Sequence, residues 1–136
     1  MTKEIYLIRH AQSEANAALD LDNPTFYYDA RLTNLGKEQT LKTRKKLVNV
    51  NFDLMISSPL TRTLQTFSLV FPQPIKNTIV LPLVREHLDH SCDVGRQPSK
   101  LQKEFSYFNF EEIKEFWWNN DKPINENKIV KTLLSS

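Results

Sequence analysis

Cysteine occurs once in 136 residues, at Cys92. An internal disulfide is thereby excluded, and a reducing compartment fits. Glycine occurs only at Gly36 and Gly95. No repeat, low-complexity tract or linker argues for a second domain, so residues 1–136 read as one domain. No apolar run approaches the length that crosses a bilayer, and no membrane partner is expected. Charge of one sign is also in short supply: the net charge of +2 does not imply a nucleic-acid partner. Met1-Thr2-Lys3-Glu4 leads straight into a strand-like segment, which reads as no signal peptide and a cytoplasmic address. What remains is ordinary globular chemistry, 25% charged and 40% hydrophobic.

Along the chain, Ile5-Tyr6-Leu7-Ile8 is a short apolar run that predicts a strand buried on both faces, stopping at Arg9-His10. Ser13 to Leu21 reads as helix, broken at Asp22-Asn23-Pro24. Thr33 is a credible N-cap for a helix to about Val48, with a weakly periodic apolar face of Leu35, Leu41, Leu47 and Val48. Its run of Lys42, Arg44, Lys45 and Lys46 predicts a solvated face, the competing reading being a basic nucleic-acid module. Leu54-Met55-Ile56 predicts a second strand. Ser58 and Pro59 then mark a helix start, with Leu60, Leu64, Phe67 and Phe71 as its buried stripe. Thr78-Ile79-Val80-Leu81 predicts a third strand, ending at Arg85-Glu86. Alternating strands and helices imply a parallel sheet, with ligands beyond the carboxyl ends of its strands. Half of the aromatic residues lie from Phe105 to Trp118; a small lid or satellite cluster is expected there, rather than a base-stacking surface.

Four ordered motifs carry a resemblance. Leu7-Ile8-Arg9-His10-Ala11-Gln12-Ser13-Glu14-Ala15-Asn16 resembles the Arg-His-Gly-x-x-x-x-Asn signature of the histidine phosphatase superfamily, with Ala11 where glycine is usual. Asp29-Ala30-Arg31-Leu32-Thr33-Asn34-Leu35-Gly36 with Gln39 resembles its Asp-x-x-Leu-Thr-x-x-Gly-x-x-Gln element. Ser57-Ser58-Pro59-Leu60-Thr61-Arg62-Thr63-Leu64-Gln65-Thr66 resembles Ser-Ser-Pro-x-x-Arg-x-x-Gln-Thr, and Leu83-Val84-Arg85-Glu86 falls where the family places an acid. Cys92-Asp93-Val94-Gly95-Arg96 and the stretch through Trp117-Trp118 look like the mutase-like branch of plants and fungi.

The resemblance implies a phosphoglycerate-mutase-like three-layer α/β/α sandwich with a mostly parallel sheet. It also implies phosphatase or mutase chemistry on phosphomonoesters through a phosphohistidine at His10. The substrate would be a phosphorylated small molecule or a phosphoprotein, with no cofactor. Arg9 and Arg62 would supply planar forks of donors to the equatorial oxygens, together with the helix N-terminus at Ser58-Pro59. Glu86 would protonate the leaving oxygen, for which burial must raise its pKa. Asn16, Gln12, Ser13, Arg85 and Arg96 are the expected phosphate or substrate contacts. His87, His90, Cys92 and Asp93 lack recognised zinc-site spacing, so no metal is expected.

The family's second histidine, usually followed by glycine, has no counterpart here, since His90 is the last histidine. The sequence thus reads as a domain cut short at its C-terminus, with an uncovered sheet edge open to self-association. Loss of one preorganised donor typically costs about 10²–10³ in rate. A catalytically inactive phosphate-binding remnant with an interaction role is therefore the alternative to a slow enzyme.

Overall fold

A computed structural model of the chain describes residues 2–20, 28–73, 77–85 and 94–119. Helix α1 covers Glu14–Asp20, α2 Asn34–Leu47, α3 Thr61–Val70 and α4 Pro98–Glu104. Strands β1 (Met55–Ser57) and β2 (Thr78–Val80) pair in parallel, Met55 opposite Thr78 and Ser57 opposite Val80. One-turn 3-10 segments follow at Pro82–Val84 and Trp117–Asn119. The fold is α/β with a parallel sheet, as the alternation of elements predicts. None of the helices among the described residues is long and apolar enough to cross a membrane.

The elements begin where local chemistry satisfies their free N–H groups. Ser13 caps α1 through a capping box: its hydroxyl accepts from the Asn16 N–H at 3.2 Å, and Asn16 Oδ1 accepts from the Ser13 N–H at 3.0 Å. Thr33 caps α2 by accepting from the Gly36 N–H at 3.0 Å, as its position in the sequence predicts. Helix α3 departs from expectation. It starts at Thr61 rather than Pro59, its own N-cap Leu60 offers no side-chain bond, and Ser58 Oγ accepts from Leu60 N–H instead. The cap comes from far away in sequence: Asp29 Oδ1 accepts from the Thr61 N–H at 2.8 Å.

The core lies where α3, the sheet and the C-terminal aromatics meet. Leu64 and Leu101 are fully buried and pack with Met55, Phe67, Val80, Phe105, Phe108 and Phe110. The aromatic segment is thus part of the main core, not the satellite cluster expected. Only Trp117 and Trp118 form a second group, against Leu60. The reason is the sheet's small size: two three-residue strands leave a face that Phe105, Phe108 and Phe110 cover, and burying large rings is strongly favourable.

Two further expectations are corrected. Residues 5–8 form no strand ladder among the described residues and are exposed, Leu7 at 90%. An extended segment without a paired neighbour cannot bury either face. Tyr6 instead meets Phe52 edge-on at 5.2 Å. On α2 the apolar face of Leu35, Leu41 and Val48 is exposed. The anchoring face is Gly36, Thr40 and Arg44, four residues apart: Gly36 and Thr40 are buried, and Arg44 donates from Nε to the Leu69 carbonyl on α3 at 2.7 Å. Lys42, Lys45 and Lys46 are solvated as predicted.

Both glycines mark close approaches. A Cβ at Gly36 would sit 2.2 Å from the Gln12 carbonyl oxygen, and one at Gly95 would sit 2.1 Å from the Trp117 ring. In a free helix Gly→Ala stabilises by about 1 kcal/mol. At Gly36 the sign reverses, because the obstacle is backbone, and overpacking of this kind costs about 1–3 kcal/mol. Urea unfolding of Gly36→Ala should therefore give a lower midpoint than wild type. An unchanged or higher midpoint would contradict the close approach.

Candidate active site

His10 follows the exposed N-terminal segment and is half-buried. Its Nδ1 lies 2.8 Å from the Ala11 carbonyl oxygen. That oxygen can only accept, so Nδ1 carries the proton and Nε2 keeps its lone pair. Nε2 faces Arg62, whose Nε donates to it at 3.3 Å. Arg62 is 2% exposed and sits in the first turn of α3, where side chains lean back toward the helix N-terminus. The geometry sets the imidazole Nε2 beside a buried guanidinium.

The loop carrying His10 is braced on all sides. Ala11 N–H donates to Thr66 Oγ1 at 3.0 Å, and Gln12 N–H to Gln39 Oε1 at 2.9 Å. The Gln12 carbonyl accepts from Thr33 N–H at 3.0 Å, and Glu14 N–H reaches the Arg31 carbonyl at 2.8 Å. Leu32 N–H donates to Gln65 Oε1 at 2.8 Å. Ala11 is outside the left-handed region, so its methyl group where the family pattern has glycine meets no backbone penalty.

The structure brings together only some of the residues expected from sequence. His10 and Arg62 meet, with Ser13 and Asn16 directly after the loop. Ser13 is 1% exposed and serves the α1 cap. Asn16 Oδ1 is engaged by Ser13 N and Oγ, each at 3.0 Å, which leaves Nδ2 as the donor of that side chain. Gln12 Oε1 accepts from Thr33 Oγ1 at 2.7 Å, tying it to the α2 cap. Arg9 is exposed, and among the described residues no hydrogen bond ties it to the His10–Arg62 pair. Arg85 is half-buried and its N–H closes the turn onto the Pro82 carbonyl. Glu86, His87, His90, Cys92 and Asp93 lie outside the described residues.

Arg96, expected to contact substrate, is engaged with carboxylates. Its Nε donates to Asp29 Oδ2 at 3.1 Å and its Nη2 to Glu104 Oε2 at 2.6 Å. Arg31 also pairs with Glu104 through both terminal nitrogens. Sequence reasoning missed Asp29 as a site residue. It is 4% exposed and has a φ of 43°, a conformation an aspartate tolerates but rarely adopts without a reason. Its place at the head of the Asp-x-x-Leu-Thr element was the available signal.

These features set a histidine beside a buried arginine on an α/β scaffold. Residues 5–126 match the model of the histidine phosphatase superfamily, branch 1, and the chain belongs to that superfamily. It is 42% identical over 77 residues to "Phosphoglycerate mutase-like protein 1" of Arabidopsis thaliana, a match covering 51% of this chain and 27% of the relative. It is 28% identical over 116 residues to a Schizosaccharomyces pombe protein named "Probable phosphatase", covering 79% of this chain and 52% of that one. The chain thus spans about half or less of the length of these curated relatives. A solved Escherichia coli K-12 structure, provisionally described as an alpha-ribazole-5'-P phosphatase, superposes with a TM-score of 0.59 at 22% identity, over 94% of this chain and 65% of that one. That likeness carries the fold.

The Arg31–Glu104–Arg96 group gives a pH prediction. Hydrogen bonding from Arg31, then the Arg96 guanidinium, holds the Glu104 carboxyl down to about 2 from an ordinary 4.5. A depressed carboxyl stabilises the fold fully above the unfolded value and loses that contribution as pH falls through the folded value. Thermal melting of wild type should therefore drop more between about pH 4.5 and 2 than melting of Glu104→Gln. Parallel curves for the two proteins over that range would remove the assignment.

Proposed function

We propose that this chain is a phosphoryl-transfer protein acting on phosphomonoesters through a phosphohistidine at His10. The observation that carries the reading is the His10–Arg62 pair: an imidazole whose Nδ1 is committed to a carbonyl, with Nε2 3.3 Å from a buried guanidinium. An imidazole attacks phosphorus only through an unprotonated nitrogen held in line with the leaving oxygen. On this reading Nε2 is the attacking nitrogen, and the hydrogen bond that it accepts from the Arg62 Nε–H passes to a phosphoryl oxygen as the N–P bond forms. As the N–P bond forms, the bond to the ester oxygen breaks, and the charge of the transferring group spreads over three equatorial oxygens. A phosphorus on Nε2 carries those oxygens beside the Arg62 fork, whose donors suit them bidentately. Asn16 Nδ2 and the exposed Arg9 are the further donors of this reading, at opposite ends of the same loop.

Glu86 takes the role of proton donor to the leaving oxygen. Hydrolysis of the phosphohistidine by water then returns His10 and releases inorganic phosphate; transfer back to a sugar hydroxyl would make the same site a mutase. Support for the class comes from the family match and from the phosphatase and mutase-like names of the relatives. Arg85 and Arg96 were expected to touch substrate. Arg85 keeps that place in the proposal, while Arg96 is given a different task below.

The test is hydrolysis of an aryl phosphate by wild type, His10→Ala and Arg62→Ala, with acid-labile phosphohistidine trapped by rapid quench. Removing an oxyanion donor costs about 10²–10³ in rate, so Arg62→Ala should fall by that order and His10→Ala to background. With no counterpart of the family's second histidine in these residues, turnover is expected to be about a hundredfold or more below a relative that carries one. Turnover surviving His10→Ala would end the proposal. Phosphate binding near His10 without turnover in wild type would identify an inactive phosphate-binding domain instead.

A further inference from the structure

The charged cluster at the start of α3 is built around one residue next to Arg62. Thr61 is fully buried. Its N–H donates to Asp29 Oδ1 at 2.8 Å and its hydroxyl to Asp29 Oδ2 at 2.6 Å. The same hydroxyl oxygen accepts from Arg96 Nη2 at 2.7 Å. Arg96 Nε meets Asp29 Oδ2, and Glu104 holds the outer side of the guanidinium. The backbone of Arg96 is fixed in turn, because its carbonyl accepts from Trp117 Nε1 at 2.9 Å, and that indole ring lies on Gly95.

We infer that Asp29 and Arg96 form a positioning clamp that fixes the first turn of α3 and thereby sets Arg62 against His10. The inference rests on the phosphoryl-transfer reading above and adds two residues to it. Leu60 cannot cap the helix, so without Asp29 the first turn has no side-chain acceptor and frays. Asp29 cannot do this unaided: its side chain is 1% exposed, and a buried carboxylate needs a compensating charge. Arg96 supplies it, with a planar fork that reaches Asp29 and Thr61 together. Arg62 is the next residue along the chain. Its bond to Nε2 is already 3.3 Å long, near the limit of a useful hydrogen bond, and a misplacement of about 1 Å at a reacting group can cost about 10²-fold. Arg96 thus acts on the reaction through Arg62 without touching the phosphoryl group.

The experiment is a double-variant comparison on the intact chain, with aryl-phosphate turnover as readout. Arg96→Met should lower kcat by about tenfold to a hundredfold, and Arg62→Ala by more. Adding Arg96→Met to Arg62→Ala should lower kcat no further, since the residue being positioned is gone. An equal loss in both backgrounds would mean that Arg96 only supports the fold, and the clamp would be wrong. If Arg96→Met does not fold, Arg96→Lys keeps the charge opposite Asp29 while losing the fork, and the same comparison applies with a smaller loss. A wild type without His10-dependent turnover defeats the phosphoryl-transfer reading but still leaves the clamp decidable by magnetic resonance. The Arg62 Nε–H should exchange with solvent at least tenfold faster in the Arg96 variant while amides of α2 keep their rates; an unchanged Nε–H would overturn the clamp.

Discussion

A buried aspartate reaching across 32 residues to the first N–H of a helix is the contact on which the site's geometry hangs. Helix starts expose N–H groups that must find acceptors, and here the neighbouring sequence offers none. Asp29 closes that gap, Arg96 balances its charge, and Glu104 with Arg31 completes an alternation of two acids and two bases. Because the helix begins at Thr61 and not at Pro59, Arg62 falls in the first turn. Its side chain then leans back over the loop to His10.

Several motif residues outside the His10–Arg62 pair hold the loop from His10 to Ser13. Thr66 and Gln39 take its N–H groups, Thr33 takes the Gln12 carbonyl, and Gly36 lets α2 approach that carbonyl without a Cβ in the way. Gln65 extends the bracing to Leu32 on the neighbouring segment. Most of these contacts join backbone to side chain across long sequence separations. They are the kind that satisfies buried polar groups when no sheet ladder is available.

That arrangement explains what could be read in advance. Local signals were legible: Thr33 as a cap, strands expected at Leu54–Ile56 and Thr78–Leu81 and found at Met55–Ser57 and Thr78–Val80, and, of the stripe Leu60, Leu64, Phe67 and Phe71, the buried Leu60, Leu64 and Phe67. Non-local ones were not. Ser58-Pro59 has the composition of a helix start, yet the acceptor that decides the boundary sits on another segment. Leu35, Leu41 and Val48 look like a packing face, but Gly36 and Thr40, being small, permit the closer approach to α3 and win the contact. The run Ile5–Ile8 has strand composition and no ladder partner among the described residues, and strand composition without pairing buries nothing. His10 and Arg62 were legible because the resemblance names them. Asp29 was quoted within its motif but had no chemistry of its own until its partner at Thr61 was seen.

The same contact bears on how the proposed site would attract an anion. A helix N-terminus attracts negative charge through its free N–H groups and dipole, and the sequence suggested that α3 would offer that end to a phosphoryl group. In the fold, an internal carboxylate already occupies the first N–H and stands closest to the positive end. The dipole is therefore directed into the scaffold, where it helps hold Asp29 in place. On the proposed phosphoryl-transfer reading, stabilisation of an incoming phosphoryl group comes from side-chain donors, and Arg62 is the one the fold buries beside His10 Nε2. A site built this way depends on the position of one guanidinium more than on any general positive potential. That dependence is why so many side chains in this small chain are committed to the first turn of α3 and the loop it faces.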